Sequence, residues 1–178
     1  MDVVALPIPE AMQVHVYPLD LALADVDMVA APAMPVSVIG YPLGLATGGN
    51  WPIWKTGHIA SDPDLDFQPG TPAFLIDATT RSGMSGSPVV LRLNGGFGTR
   101  QGGYLLAGGT STKFMGVYSG RIREESEIGT VWRPFVIHEI LLNRLLFNEE
   151  SGRMAPTRNS QCPCERGKIF RACCGRLS

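Results

Sequence analysis

The pattern of apolar and polar positions predicts a chain built mainly of short strands. Apolar stretches recur along most of its length, and clusters of Gly, Pro, Asp and Ser separate them. Short strands joined by turns at this spacing indicate an antiparallel barrel or sandwich, so we expect an all-β fold. The predicted strands are residues 2–8, 36–40, 53–61, 73–77, 86–91, 104–107 and 113–119.

A helical period replaces this pattern after Pro134 and continues to about residue 148. It predicts one C-terminal helix. The apolar positions that recur at helical spacing are Phe135, Val136, Ile140, Leu141, Leu145 and Leu146. Residues 149–159 are polar with Gly and Pro, which indicates a linker. We therefore expect a main domain at 1–148 and a separate tail at 160–178.

Composition excludes several classes of protein. The chain has 178 residues, of which 44% are hydrophobic and 17% charged, so we expect a packed core rather than a disordered chain. The net charge of −1 provides no attraction to nucleic acid, so nucleic-acid binding is not expected. No apolar run approaches the length of a membrane span.

Cysteine usage points to a reducing compartment. All four cysteines lie between residues 162 and 174, so the strand-rich part of the chain can form no disulfide. Extracellular β-rich enzymes usually contain disulfides, and we therefore expect a cytoplasmic protein.

The most informative motif is Gly83-Met-Ser-Gly-Ser-Pro88, which leads directly into an apolar strand. A serine hydroxyl is a weak nucleophile, and it needs a turn that exposes it and gathers amide donors around the substrate carbonyl. Gly83 would allow its own N–H and that of Ser85 to converge on one oxyanion. The alternative is a Gly/Ser-rich hairpin turn without chemistry. A nucleophile elbow is not indicated, because a strand and not a helix follows Ser87.

These residues resemble the chymotrypsin (trypsin-like) peptidase family, in which Gly-x-Ser-Gly-Gly/Ser-Pro surrounds the nucleophile. Further stretches resemble the family in order along the chain: Asp2-Val-Val-Ala-Leu, Val38-Ile-Gly-Tyr-Pro-Leu-Gly44 and Gly116-Val-Tyr-Ser-Gly120. The resemblance covers residues 1–148. It implies the second antiparallel β-barrel of a trypsin-like fold, followed by a C-terminal helix, and a peptide or protein substrate.

The resemblance also implies the catalytic roles. Ser85 would be the nucleophile, the amides of Gly83 and Ser85 would form the oxyanion hole, and Asp2 would orient a histidine. Asp2 stands at the second position, so no histidine precedes it. We therefore expect an N-terminally truncated part of the enzyme, inactive or nearly so. His15 and His58 are interpreted as strand residues and His138 as a helix residue, although an Asp–His–Ser order does occur in another serine-peptidase fold.

Four further residues acquire substrate-binding roles from the resemblance. Val117, Ser119 and Gly120 belong to the strand that would pair with the substrate backbone, and Ser119 would also lie near the Asp–His pair. Thr79 would lie at the base of the primary specificity pocket. A small neutral residue there has no charge to attract Lys or Arg, so cleavage after basic residues is not indicated.

The tail carries a candidate zinc site of four cysteines, Cys162, Cys164, Cys173 and Cys174. Zinc prefers four thiolate or imidazole ligands in a tetrahedron, which two close pairs on a short loop can supply. Two disulfides are the alternative, but adjacent cysteines pair only under strain. The segment resembles the SEC-C motif, which implies a structural Zn²⁺ and a docking surface. The tail is locally basic, which is either a solvated face or a contact for an acidic protein partner.

Two function classes follow. The first is a serine endopeptidase that acts through an acyl-enzyme on Ser85. The alternative is a non-catalytic peptide- or protein-binding barrel that binds a strand along Val117–Gly120 and docks a partner through its zinc tail. A purely structural zinc-tail adaptor is a third possibility.

Overall fold

The computed structural model of the chain describes residues 3–5 and 16–146. These residues fall into two compact units, one of which holds the strands and the other the helix. The strands are β1 (Pro35–Gly40), β2 (Ile53–Ile59), β3 (Ala73–Asp77), β4 (Pro88–Asn94), β5 (Phe97–Gly98), β6 (Tyr104–Leu105), β7 (Thr110–Arg121) and β8 (Ile128–Trp132). The helix is α1 (Phe135–Leu146), and 3-10 turns occur at Leu21–Asp25, Pro42–Gly44 and Gly48–Asn50.

Six of these strands form a closed antiparallel barrel. Their order is β1-β2-β3-β8-β7-β4, and β4 pairs back with β1 through Ser37↔Val90 and Val38↔Val89. Closure removes the unpaired strand edges that an open sheet would expose. The strands β5 and β6 form a separate two-stranded ribbon in the connection between β4 and β7.

The barrel interior is apolar because each strand directs alternate side chains inward. In β1, Val36 and Val38 are buried and Ser37 between them is less so. Large side chains from the other strands complete the interior: Ile59, Phe74, Ile76, Val89, Leu91, Met115, Tyr118 and Val131. Met28 and Met84, which lie outside the strands, also join this core.

Two β-bulges interrupt β7, and the second one matters for the site. Tyr118 pairs with Val131, whereas Gly120 pairs with Thr130, so Ser119 is an extra residue without a partner on β8. An extra residue shifts the inward and outward alternation of a strand by one position. Arg121, which pairs with Gly129, therefore lies on the same face of the sheet as Tyr118.

The prediction of a mostly β chain with an antiparallel barrel is confirmed, as is a C-terminal helix. The sequence patterns missed β5 and β8. Residues 3–5 belong to no strand, and the rest of the strand expected at 2–8 lies outside the described residues. Within residues 16–146 no helix combines the length and apolar character needed to cross a membrane.

Candidate active site

Residues 81–87, which include most of the Gly83–Pro88 motif, form two successive β-turns between β3 and β4. The Met84 N–H donates to the Arg81 carbonyl at 3.3 Å, and the Ser87 N–H donates to the Met84 carbonyl at 3.1 Å. The third residue of each turn is a glycine with positive φ, +90° at Gly83 and +85° at Gly86. A positive φ confined to the third position defines a type II turn and strongly favours glycine. The glycine spacing of the motif is thus required by the backbone.

Three contacts fix this double turn on the barrel. The Met84 side chain is fully buried in the core. Ser87 is also buried, and a Cβ added at Gly40 would lie only 2.1 Å from the Ser87 Oγ, so the end of β1 packs directly against it. On the other side the Leu43 N–H donates to the Ser82 carbonyl at 2.7 Å. The turn is therefore positioned by the core and by the β1–β2 connection together.

Ser85 is exposed at the tip of the second turn, beside the end of β7. Its Oγ donates a hydrogen bond to the Ser119 carbonyl at 2.8 Å. The neighbouring backbone is bound to the same strand, because the Gly86 N–H donates to the Tyr118 carbonyl at 2.8 Å and the Tyr118 N–H donates to the Ser87 carbonyl at 2.9 Å. An accessible hydroxyl thus sits on a well-anchored backbone.

Along the double turn, backbone N–H groups that donate a hydrogen bond alternate with N–H groups that donate to no described residue. Met84 and Gly86 donate their N–H groups within the fold. Among the described residues, the N–H groups of Gly83 and Ser85 donate to no other group. Free amides are ordinary at the central positions of β-turns, and here two of them lie beside an exposed hydroxyl, as the donors of an oxyanion hole would.

A cavity of about 250 Å³ opens next to Ser85. The residues that line it are Thr80, Arg81, Ser82, Ser85, Tyr118, Gly120, Arg121, Arg123 and Glu124.

Two buried hydroxyls belong to this lining. Thr80 and Tyr118 are 1% and 2% exposed, and the Thr80 Oγ1 and Tyr118 Oη are 2.5 Å apart in a hydrogen bond. Burial raises the pKa of Tyr118 above its ordinary value, while the Thr80 hydrogen bond and the charge of Arg121 act in the opposite direction. The phenol is therefore neutral at physiological pH and remains a hydrogen-bond donor.

The charged residues of the cavity are mostly arginines. Arg81 donates to the Thr80 carbonyl at 2.7 Å and pairs with Glu127 at 3.4 Å. Both side chains of this pair are 43% exposed, so the ion pair is weak. Arg121 is half-buried and forms no ion pair with a described residue, and Arg123 and Glu124 are exposed.

The structure brings some of the predicted site residues together. Ser85 and Gly120 line the same cavity, and the Ser119 carbonyl contacts the Ser85 hydroxyl. Val117 is half-buried and pairs with Trp132 and Pro88.

Thr79, in contrast, is exposed and is absent from the cavity lining, where the adjacent Thr80 is found. Thr80, Tyr118 and the arginines were missed by sequence reasoning. Motif spacing alone could not show which of two adjacent threonines faces inward.

No histidine in the described part of the chain lines the cavity. His58 is exposed on β2 opposite Asp77, and His138 lies in α1. His15 and Asp2 lie outside the described residues, as do the four cysteines of the candidate zinc site. Within 3–5 and 16–146, no group of three or more His, Cys, Asp and Glu side chains could hold a metal.

Comparison with known proteins assigns no family, since no protein-family model and no curated protein matches the chain. A function must therefore be inferred from the groups around Ser85. Those groups are an exposed hydroxyl, two amides that donate to no described residue, the end of β7 and an open cavity.

Proposed function

We propose that this chain is the second barrel of a chymotrypsin-like serine peptidase, with Ser85 as the nucleophile. The observation on which the proposal rests is the double turn at 81–87, which exposes the Ser85 hydroxyl beside the Gly83 and Ser85 amides, neither of which donates to a described residue. Free amides at these positions suit any β-turn, and it is their position beside an exposed serine that suits an oxyanion hole.

In the proposed reaction, the Ser85 Oγ attacks the carbonyl carbon of a peptide bond and transfers its proton to a histidine. The negative charge that develops on the carbonyl oxygen is stabilised by the amides of Gly83 and Ser85. The histidine then protonates the departing amine, and an acyl-enzyme forms on Ser85. Water deacylates it with the histidine acting again as base.

The described residues include neither a histidine that lines the cavity nor Asp2. By the family's order, a histidine N-terminal to Asp2 would act as the base, and Asp2 would orient it. Without that histidine, we expect a residual rate enhancement of about 10³–10⁴-fold over the uncatalysed reaction, supplied by the oxyanion hole and by binding.

The end of β7 offers an edge on which a substrate strand can pair. The pairing of β7 with β4 begins at Val117, opposite Pro88, and β7 continues to Arg121. Residues 119–121 therefore extend past β4, and in the described part of the chain no strand covers their β4-facing edge. A peptide added to this edge would run beside Ser85, and its backbone would gain main-chain hydrogen bonds.

A fluorophosphonate probe tests this proposal, because it forms a stable adduct only with an activated serine. We expect an adduct on the Ser85 peptide of the protein as its own cells make it, detected by mass spectrometry. Ser85→Ala should abolish it, and the control variant Ser111→Ala, which alters a serine of β7 that does not line the cavity, should retain it. Absence of an adduct on the folded protein would refute the proposal.

A peptide-binding barrel without catalysis is the second candidate. It is favoured by the hydrogen bond from the Ser85 Oγ to a backbone carbonyl, which leaves the hydroxyl without a basic partner in the described residues. In that case, Ser85→Ala should leave the affinity for peptides unchanged, and no fluorophosphonate adduct should form on the wild-type protein.

For the tail, we propose a structural Zn²⁺ held by Cys162, Cys164, Cys173 and Cys174, since four thiolates are a preferred donor set for zinc. This basic tail would dock an acidic protein partner in the cytoplasm. We expect one zinc per chain by metal analysis and its loss in Cys162→Ser. A metal-free chain with two intact disulfides would contradict this proposal.

A further inference from the structure

We propose that the cavity beside Ser85 is a subsite for an acidic side chain, so that the peptide residue whose carbonyl meets Ser85 is Glu or Asp. This inference deepens the proposed function and rests on it. From the sequence, the only statement about specificity is that cleavage after Lys or Arg is not indicated. The residues that line the cavity indicate instead which side chain is preferred.

The charge of the lining favours an anion. Three arginines, Arg81, Arg121 and Arg123, line the cavity against a single carboxylate, Glu124. The excess of positive charge is local, because the chain as a whole has a net charge of −1. A guanidinium donates paired hydrogen bonds in a geometry that matches a carboxylate.

Arg121 is the arginine best placed to bind this carboxylate. Arg81 already donates to the Thr80 carbonyl and pairs with Glu127. Arg121 is half-buried, and no described residue forms an ion pair with it. The bulge at Ser119 places Arg121 on the same face of the sheet as Tyr118, which also lines the cavity.

The two glutamates nearby weaken this preference without reversing it. Glu124 is exposed, so water screens its charge. Glu127 does not line the cavity and pairs with Arg81 through Oε1, but its Oε2 is buried without a partner among the described residues, and, besides burial, its charge raises the pKa of Tyr118. A lysine side chain in the cavity would face the three arginines, and an apolar side chain would gain nothing from their charge. An acidic side chain is the one that the lining stabilises.

Peptide binding tests the subsite without requiring catalysis. Fluorescein-labelled tetrapeptides that are identical except for a C-terminal Glu or Gln would be titrated into the full chain, with anisotropy as the readout. We expect about tenfold tighter binding of the Glu peptide at low salt, equivalent to about 1.4 kcal/mol, because a carboxylate accepts charge-assisted hydrogen bonds from a guanidinium that an amide does not. The ratio should fall as salt is added.

Arg121→Gln should bring the ratio of Glu to Gln affinity close to one. Arg92→Gln is the matched control, because Arg92 is an exposed arginine on β4 that stacks on Trp54 and does not line the cavity. It should keep the full preference. Thermal melts of both variants verify that they are folded.

The results separate this inference from the proposed function. If Ser85 forms a fluorophosphonate adduct but the Glu and Gln peptides bind equally, or neither binds, the acidic subsite is wrong and the peptidase proposal stands. If no adduct forms but the Glu preference depends on Arg121, the subsite stands in a binding protein. A preference for a Lys or Phe peptide would overturn the inference in either case.

Discussion

The Ser85 Oγ lies 2.8 Å from the Ser119 carbonyl oxygen and donates a hydrogen bond to it. A peptide carbonyl is too weak a base to remove the proton of a serine, so this contact orients the hydroxyl without activating it. A base that enters the site has to replace this bond before attack can occur. The proposed nucleophile is therefore bonded, without being activated, to β7, the strand that would also bind its substrate.

Filling the space beside this hydroxyl should block the cavity. A Cβ at Gly120 would lie 3.9 Å from the Ser85 Oγ, and Gly120 has a φ of +149° that side chains rarely adopt. We expect Gly120→Val to weaken peptide binding by roughly tenfold or more, equivalent to about 1.4 kcal/mol, measured by anisotropy.

Gly108→Val is the control for that variant, because a Cβ at Gly108 would meet no atom within 4 Å. It should bind peptides as the wild-type chain does. Wild-type affinity in a folded Gly120→Val protein would show that peptides bind elsewhere.

The hydrogen bond between Thr80 and Tyr118 should stabilise the fold as a pair. Each single change, Thr80→Val or Tyr118→Phe, leaves one buried hydroxyl without its partner, and we expect a loss of about 1–3 kcal/mol in the free energy of unfolding. The double variant should lose less than the sum of the two. Urea unfolding of the four proteins measures this coupling, and strictly additive losses would contradict it.

The stability contributed by Tyr118 should depend on pH. Its pKa is raised in the fold above the ordinary value of 10.0, mainly by burial, so the folded state retains a proton that the unfolded state loses. This contribution is fully present below pH 10.0 and is lost as pH rises through the higher pKa of the folded state. We therefore expect the stability difference between wild type and Tyr118→Phe to shrink above pH 10, as measured by urea unfolding at several pH values. A difference that grows with pH would contradict the assignment.

A fourth prediction concerns the contact between β1 and the double turn. Since a Cβ at Gly40 would lie 2.1 Å from the Ser87 Oγ, Gly40→Ala should destabilise the barrel by about 1–3 kcal/mol. Adding Ser87→Gly should restore part of this loss, because it removes the two Ser87 atoms that the new Cβ would meet, Oγ at 2.1 Å and Cβ at 3.2 Å. A double variant that is less stable than Gly40→Ala would argue against this contact as the cause.

Much of the barrel could be predicted because its strands are short apolar runs between turns. β1 and β3 were found almost to the residue by this pattern. β8 was missed although its other four residues, Ile, Thr, Val and Trp, favour strands, because Gly129 interrupts this short run. Gly129 packs under the Tyr118 ring, where a Cβ would lie 2.4 Å from Tyr118 Cε2, and that requirement arises from tertiary packing.

Part of the candidate site could likewise be predicted from the sequence, and part of it could not. The exposure of Ser85 followed from the glycine spacing around it, since Gly83 and Gly86 define the turns locally. The cavity could not be predicted, because Arg121 reaches the face of Tyr118 only through the bulge at Ser119. A bulge depends on the register between two strands, and register is a non-local property.

Met84 has a consequence for how ligands enter. Its side chain is fully buried in the barrel, so the double turn cannot swing open unless a methionine is withdrawn from a packed interior. The double turn is therefore a fixed part of the binding surface and does not open to admit a ligand. Peptides must fit the shape that the protein already has, and changes deep in the barrel will alter recognition at its surface.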